Sequence, residues 1–335
     1  MRSLGAAPHA SAMHEADLPA LHRLMVVARR LDEEAIALQR QGVFPAYAPA
    51  KGQEAAQVGS AAALDLARDF AFPCYRELGV AVAMGVDLVG YLATHLNVWH
   101  GGLYDPKASR LAPFNAVVGG PVTHAIGWAM GAKLDGTGGA AITYFGDGAS
   151  SQGDVHEAMN FAGVYRLPVV FFCQNNGWAI SVPTAEQVAG GSVAARAAGY
   201  GIEGVRVDGN DVVAVFEATR AALDRARDGG GPTVIEAMTY RLGPHSTSDD
   251  PGRYRTLEDE RAWLDRDPLT RAAAQLSADE VAAAEEHAAT VVSGVRDGLL
   301  ALNPPPAEEL FSFVYREPTT ALLEQQRVWK ESLDA

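Results

Sequence analysis

Residues Gly146–Ser181 read GDGASSQGDVHEAMNFAGVYRLPVVFFCQNNGWAIS, and this stretch decides the fold. Ala140–Phe145, directly before its first turn, is a short apolar run that is typical of a buried strand. Asp154–Tyr165 places apolar residues on one helical face, and the apolar run Val169–Cys173 predicts a second strand. Because two strands joined through a helix run parallel, both are expected to end at the same edge of one sheet.

Two oxygen-bearing side chains follow the predicted strands, Asp147 after the first and Asn176 after the second. They are expected to face each other across one crevice, and such hard oxygen ligands suit magnesium or calcium better than zinc. Gly146 and Gly148 allow the backbone to approach a ligand closely, and the following helix favours an anion at its amino end. A cation between Asp147 and a phosphate removes their repulsion, so the stretch predicts a diphosphate that is held through magnesium.

The rest of the chain carries weaker signals of helices and strands. The patterns predict a helix capped by Asp17 that runs to Gln41 and a second helix from Gly52 through Ala67. An extended run followed by a helix is expected within Asp69–Leu78, helical segments through His100, a loop over Gly101–Pro121 and a helix over Val122–Lys133. The later part of the chain predicts strands at Gly204–Val207 and Thr233–Tyr240 with a helix over Asp211–Asp228 between them. A polar loop is expected over Arg241–Arg255, followed by helices from Glu258 with breaks near Pro268 and at Asn303–Pro306.

The spacing within the opening stretch resembles the thiamine diphosphate signature. Gly146-Asp147-Gly148 is followed by 26 residues and then by Asn175-Asn176. In that family the aspartate, the second asparagine and a main-chain carbonyl two residues later bind magnesium. The resemblance therefore implies that Asp147, Asn176 and the carbonyl of Trp178 bind the metal here. It also implies cofactor contacts from Gly146, Gly148, Ala149 and Ile180.

Further motifs resemble one branch of the thiamine-dependent enzymes, the alpha subunit of the decarboxylating component of 2-oxo acid dehydrogenase complexes. They occur in that family's order: Gly52-Gln53-Glu54, Tyr75-Arg76-Glu77, the opening stretch, His245–Asp250 and Tyr254-Arg255. The similarity runs from about Leu18 to Val328. It implies an α/β fold, a mainly parallel sheet with helices on both faces, known as the thiamine-diphosphate-binding fold, with extra helices at both ends.

Four residues receive a role from this resemblance. Tyr75 and Arg76 match a pair that contacts the cofactor diphosphate, and a guanidinium fork suits phosphate oxygens. Val118 matches an apolar residue that supports the bent shape of the cofactor, although some relatives carry a larger leucine there. His245 matches a catalytic residue that helps to pass the acyl group to a lipoyl arm, with a pKa near the working pH. A surface arginine and a solvated histidine are the alternatives for Arg76 and His245.

The resemblance also implies an activity and partners. The activity is the oxidative decarboxylation of a 2-oxo acid and the transfer of its acyl group to lipoyl-lysine of a dihydrolipoyl acyltransferase core. The partner is a beta subunit that supplies the pyrimidine-binding half of the site in a heterotetramer, since this chain is expected to be too short for both halves. Ser246–Asp250 resembles branched-chain enzymes, whereas Gly243-Pro244-His245 also occurs in pyruvate enzymes. Gln174 stands where some branched-chain enzymes have arginine, so a branched-chain substrate is favoured and pyruvate stays open.

Composition excludes several classes of partner. The 335 residues include 27 basic and 41 acidic residues, a net charge of −14, so neither nucleic acid nor an anionic membrane is expected to bind. No apolar run approaches a membrane span, the amino end lacks a secretory core, and Cys74 and Cys173 lie far apart in apolar contexts. A reducing cytoplasm is the expected setting. Residues 1–16 are expected to form a mobile leader, and residues 17–335 a single diphosphate-binding α/β domain with a C-terminal helical extension.

A Rossmann-type nicotinamide-dependent dehydrogenase and a non-catalytic scaffold are the alternative functions. Gly136–Gly139 has Rossmann-like glycines, but it precedes a predicted strand instead of following one. The strand that ends at Cys173 leads into Gln-Asn-Asn, without the acidic residue that would hold a ribose. A scaffold would have no need for the four polar residues Asp147, Asn176, Arg76 and His245 together. Both alternatives are therefore disfavoured.

Overall fold

The two apolar runs around the Gly-Asp-Gly turn are neighbouring strands of one parallel sheet, as the sequence predicts. The computed structural model describes residues 13, 15–96, 102–303 and 308–333. The strands of these residues are β1 (Phe70–Phe72), β2 (Ala141–Gly146), β3 (Val169–Asn175), β4 (Trp178–Ala179), β5 (Val182–Pro183), β6 (Glu203–Asp208) and β7 (Thr233–Met238). The sheet order is β1-β2-β3-β7-β6 with every pair parallel, and β4 pairs with β5 in a separate antiparallel hairpin.

Helices cover both faces of this sheet, which agrees with the expected α/β class. The described α-helices are α1 (Leu18–Arg40), α2 (Glu54–Ala62), α3 (Leu78–Ala83), α4 (Leu88–Leu92), α5 (Pro106–Ser109), α6 (Gly120–Asp135), α7 (Gly153–Tyr165), α8 (Thr184–Gln187), α9 (Val212–Arg227), α10 (Leu257–Leu264), α11 (Pro268–Ala273), α12 (Ala278–Leu300), α13 (Glu309–Ser312) and α14 (Thr320–Leu333). Short 3₁₀ turns lie at Ala93–Leu96, Ala149–Ser151, Ala194–Tyr200 and Pro251–Arg253.

The core consists of two apolar layers, one on each face of the sheet. Successive strand residues point to opposite faces, so Ile142 and Tyr144 pack with α1, α2 and α9, while Ala141 and Phe145 pack with α6 and α7. All residues of β3 are buried because helices cover both of its sides. α12 packs along α1 as an outer layer on the first face. This arrangement leaves the carboxyl ends of the central strands open to a ligand.

The observed element bounds differ from the predicted ones at several places. α2 ends at Ala62 and not at Ala67, because the carboxylates of Asp65 and Asp69 accept backbone N–H groups of the next turn and stabilise a non-helical chain. β7 ends at Met238, earlier than predicted. The loop predicted over Gly101–Pro121 contains α5 and the start of α6.

Parts of three predictions lie outside the described residues. They are most of the leader at 1–16, the helical segment up to residue 100, and the break at residues 303–306. The described residues of the leader include Met13 and Ala16, which pack half-buried against the core. No helix of the described residues is long and apolar enough to cross a lipid bilayer.

Candidate active site

Two of the predicted metal ligands lie at the carboxyl ends of neighbouring strands. β2 ends at Gly146 and β3 ends at Asn175, and the register pairs Gly146 with Gln174. Asp147 and Asn176 therefore follow at the same edge of the sheet, and the backbone N–H of Asn176 donates to Oδ1 of Asp147 at 3.3 Å. The sheet topology thus brings together two side chains that lie far apart in sequence.

The third predicted ligand, the carbonyl of Trp178, lies in the turn that follows β3. Gly177 has a φ of +89°, which lets the chain turn from β3 into the β4–β5 hairpin. The N–H of Trp178 donates to Oδ1 of Asn176 at 3.2 Å. At the hairpin tip Ile180 has a φ of +56°, a costly conformation for a β-branched residue. Its carbonyl accepts from Nη2 of Arg241 at 2.6 Å, so a buried guanidinium stabilises the strained turn.

The buried carboxylate of Asp147 has an environment that suits the binding of a cation. Its side chain is fully buried and accepts from Oγ1 of Thr184 at 2.5 Å and from Nε2 of Gln187 at 3.0 Å. Burial raises the pKa of Asp147, although hydrogen bonds from Thr184 and the backbone oppose the shift. A divalent cation would favour the charged form and so remove the cost of burying it.

The donor set fits magnesium. A carboxylate, an amide oxygen and a main-chain carbonyl are hard oxygen ligands, which Mg²⁺ combines with substrate phosphates and waters. Within the described residues, His, Cys, Asp and Glu side chains form no group of three that could hold a metal ion. A softer metal such as zinc therefore has no thiolate or imidazole cluster here.

All eleven residues that the sequence indicated for cofactor or metal binding line one cavity of about 410 Å³. They are Tyr75, Arg76, Val118, Gly146, Asp147, Gly148, Ala149, Asn176, Trp178, Ile180 and His245. The sequence assigned no site role to the other lining residues, which are Gln53, Cys74, Glu77, Ala116, Gln152, Gln174, Ala179 and Arg241. Val118 and Ile180 are 42% and 54% exposed, so the open side of the cavity has an apolar rim.

Arg76 and His245 contact each other on the wall of this cavity. Nη2 of Arg76 lies 3.0 Å from the carbonyl oxygen of His245 and 3.2 Å from its Nδ1, and Nη1 donates to the carbonyl of Pro49. The ring of Tyr75 meets the imidazole edge to face at 6.1 Å. Arg76 is buried, so the alternative of a surface arginine is wrong.

These contacts define the protonation state of His245. Burial, followed by the charges of Arg76 and Arg241, lowers the pKa of His245 to about 4. The expectation of a pKa near the working pH is therefore wrong, because the sequence does not reveal two neighbouring cations. Since a guanidinium can only donate, Nδ1 must accept from Arg76, and the neutral ring carries its proton on Nε2. His245 therefore offers one hydrogen-bond donor at neutral pH.

Arg241 connects the turn of Gly177–Ile180 to the loop of His245. Besides the carbonyl of Ile180, its Nη2 bonds the hydroxyl of Tyr254 at 2.8 Å. That hydroxyl donates to Oδ2 of Asp249 at 2.5 Å, and the same oxygen accepts from the backbone N–H of His245 at 2.7 Å. One chain of hydrogen bonds therefore holds both loops. Sequence reasoning missed Arg241, although a charged residue shortly after a predicted strand was an available signal.

A buried amide network holds the segment of Arg76. Nε2 of Gln57 donates to the carbonyl of Arg76 and to Oε1 of Gln174, each at 2.9 Å, and Oε1 of Gln57 accepts from the N–H of Gly79. Nε2 of Gln174 donates to Oε1 of Glu77 at 2.7 Å. Gln174 thus holds the segment of Glu77 by a hydrogen bond. This is the position at which some branched-chain enzymes carry an arginine. His156 bonds the hydroxyl of Tyr200 and does not line the cavity.

Comparisons with known proteins agree over most of the chain. The family model described as "Dehydrogenase E1 component" matches residues 22–295. The 3-methyl-2-oxobutanoate dehydrogenase subunit alpha of Mycobacterium tuberculosis (strain H37Rv) is 43% identical over 341 residues, which covers 97% of this chain and 91% of the relative. The 2-oxoisovalerate dehydrogenase subunit alpha of Bacillus subtilis is 38% identical over 90% of this chain and 93% of its own. The pyruvate dehydrogenase E1 component subunit alpha of Bacillus cereus is also 38% identical, over 94% of this chain and 86% of its own.

Proposed function

The chain belongs to the dehydrogenase E1 component family, and from this premise we propose that it is the alpha subunit of a 2-oxo acid dehydrogenase. The activity is the oxidative decarboxylation of a 2-oxo acid and transfer of the acyl group to lipoyl-lysine of an acyltransferase core. The observation that supports it best is the single cavity shared by Asp147, Asn176, Arg76 and His245. A nicotinamide-dependent dehydrogenase finds no support, because Gly136–Gly139 precedes β2 and the turn directly after β3, Asn176-Gly177, has no acidic residue.

The cofactor that this family implies is thiamine diphosphate, and the metal that we propose is Mg²⁺. When bound, the cofactor supplies the nucleophilic carbon and the electron sink for decarboxylation. Asp147, Asn176 and the carbonyl of Trp178 would hold the metal, and the buried carboxylate of Asp147 supports this assignment. A diphosphate would then be bound by both the metal and Arg76.

Other residues would orient the cofactor and the acyl group. The guanidinium of Arg76 would bind diphosphate oxygens with Tyr75 beside it, while Gly146, Gly148 and Ala149 allow close approach of the backbone. Val118 and Ile180 would support the organic part of the cofactor at the apolar rim. His245 would use its Nε2–H to donate to the oxygen of the reacting group, and its location beside Arg76 supports this role.

The substrate is proposed to be a branched-chain 2-oxo acid, with pyruvate as the second candidate. Relatives with both kinds of name match the chain at similar identity, 38% in each case for the two Bacillus proteins. Activity of the reconstituted enzyme with 3-methyl-2-oxobutanoate and with pyruvate, measured side by side, would decide between them. A higher kcat/KM for pyruvate would reject the branched-chain assignment.

The partners are proposed to be a beta subunit, in an assembly of two alpha and two beta subunits, and the lipoyl-bearing dihydrolipoyl acyltransferase core. The subunit names of the relatives support a beta subunit, and the apolar rim of the cavity suits a protein surface that excludes water. Residues 17–335 would act as one diphosphate-binding domain. Two buried free thiols, Cys74 and Cys173, support a reducing, cytoplasmic setting.

The metal assignment is tested by replacing Asp147 with alanine. We expect Asp147→Ala to lose cofactor-dependent decarboxylation and Mg²⁺-dependent binding of thiamine diphosphate, while far-UV circular dichroism stays unchanged. Asp154→Ala is the matched control, because this exposed carboxylate lies on α7 outside the cavity and should not matter. Undiminished turnover of Asp147→Ala would refute the assignment.

A further inference from the structure

Gln53 belongs to the Gly52-Gln53-Glu54 motif, to which sequence reasoning assigned no chemical role. It lies at the amino end of α2, is fully buried and lines the cavity. Its side chain makes no capping hydrogen bond to the helix. Oε1 instead accepts from Nδ2 of Asn176 at 3.2 Å, a contact between residues that are 123 positions apart. Gln53 thus touches a proposed metal ligand.

The orientation of both amides follows from one backbone group. The N–H of Trp178 lies 3.2 Å from the side chain of Asn176, and because an N–H only donates, the atom it meets must be the carbonyl oxygen Oδ1. The amide nitrogen of Asn176 therefore points to Gln53, and the atom it meets there must also be an oxygen. Oε1 of Gln53 is therefore used by Asn176, and the other polar atom of its amide is the nitrogen Nε2.

Nε2 of Gln53 is a buried donor, and it has no hydrogen-bond partner among the described residues. A buried polar group without a partner is costly, and native proteins rarely keep one unless a ligand satisfies it. Arg76 and Arg241 line the same cavity, and both are cations. The carboxylates of Asp147 and Glu77 line it too, so with a divalent cation at Asp147 the cavity combines positive charge with an unused neutral donor, which suits an anionic ligand with several oxygens.

We propose that Gln53 helps to bind both the metal and the diphosphate at this site, an inference that rests on the proposed function. Its carbonyl oxygen holds the amide of Asn176 so that Oδ1 faces the metal. Its amide nitrogen donates a hydrogen bond to an oxygen of the diphosphate. Gln53 is a positioning residue in the first role and a direct ligand of the diphosphate in the second.

The test measures binding of Mg²⁺ with inorganic pyrophosphate to the full-length chain by isothermal titration calorimetry, together with the Tm without ligand. Gln53→Met keeps the length of the side chain but removes both polar ends. We expect its affinity to fall tenfold to hundredfold, equivalent to about 1.4–2.8 kcal/mol, while its Tm without ligand changes little. Ser60→Ala is the control, because it removes a buried hydroxyl from the same helix outside the cavity and should leave the affinity unchanged.

A second variant keeps the test decisive if Gln53→Met does not fold. Gln53→Glu has the same size and still accepts from Asn176, but it turns the donor into a negative oxygen. We expect it to bind Mg²⁺ with pyrophosphate at least tenfold more weakly than the wild type, since the carboxylate repels the diphosphate.

Three outcomes would overturn the inference. Affinity of Gln53→Met or Gln53→Glu within about twofold of the wild type refutes the role of Gln53 and leaves the proposed function intact. A lower Tm of Gln53→Met with unchanged affinity assigns Gln53 a purely structural role. Failure of the wild-type chain itself to bind Mg²⁺ with pyrophosphate rejects the proposed metal and diphosphate site of this chain, and the inference with it.

Discussion

Replacing Gly148 by alanine tests how closely the Gly146-Asp147-Gly148 turn is packed. A Cβ at position 148 would lie 2.7 Å from Cβ and 3.2 Å from Cα of Ala179. Non-bonded carbons normally stay about 3.5–4.0 Å apart, so Ala179 would have to move by about 1 Å. The φ of Gly148 is −60°, which suits alanine, so the steric contact alone decides the outcome.

The displacement would reach the metal site because Ala179 directly follows Trp178. Ligand distances to Mg²⁺ are about 2.0–2.1 Å and tolerate deviations of about 0.2 Å, so a shift of this size would disturb the coordination that we propose for the Trp178 carbonyl. We expect Gly148→Ala to lose about 1–3 kcal/mol of unfolding free energy. If the proposed metal site is correct, its affinity for thiamine diphosphate at saturating Mg²⁺ should also fall at least tenfold, or about 1.4 kcal/mol. Urea denaturation and titration calorimetry measure the two effects.

A second substitution on the opposite side of the contact provides the control. Gly148→Ala/Ala179→Gly removes the Cβ–Cβ overlap and leaves only the contact to Cα, so it should recover most of the affinity. For stability alone, Gly146→Ala is a further comparison, because its Cβ would approach only the carbonyl oxygen of Gln174, at 4.0 Å. Wild-type affinity and stability of Gly148→Ala, or a double variant no better than the single one, would show that this packing reasoning is wrong.

Three more predictions follow from the described contacts. His245→Ala should retain decarboxylation with an artificial electron acceptor but acylate a lipoyl domain at least tenfold more slowly (about 1.4 kcal/mol), and an unchanged acylation rate would contradict its role. Arg76→Lys keeps the charge but loses the fork, so thiamine diphosphate should bind about tenfold more weakly by calorimetry; equal affinity would argue against a bidentate contact. Burial raises the pKa of Asp32 from 3.8 to about 6, so the folded protein keeps a proton that the unfolded chain releases between these values. The contribution of Asp32 to wild-type stability should therefore fall by about 3 kcal/mol as the pH rises through this window. Asp32→Asn should match the wild type near pH 4 but exceed it by about that amount at pH 7 in urea denaturation; equal stability at pH 7 would be evidence against the raised pKa.

The elements that local patterns could predict are those whose side chains repeat with a strong period. β2, β3 and α7 lie close to where Ala140–Phe145, Val169–Cys173 and Asp154–Tyr165 predict them, because burial on both faces requires continuous apolar strands. The end of α2 was predicted wrongly, because hydrogen bonds from the backbone to the Asp65 and Asp69 carboxylates compete with helix formation. The spacing of apolar residues gives no information about such bonds. The insertion of β7 between β3 and β6 depends on pairing between distant segments, which no local pattern contains.

Sequence patterns were sufficient to place Asp147 and Asn176 at one edge of the sheet, where we propose that they bind a metal and a diphosphate. Asp147 and Asn176 were identifiable because parallel strands end at one edge, a property of connection topology that short stretches of sequence reveal. Only the tertiary structure decided the low pKa of His245, the link that Arg241 makes between two loops, and the contact of Gln53 with Asn176. Each of these depends on burial and on distances between groups that are remote in the chain, and those quantities exist only once the chain has folded.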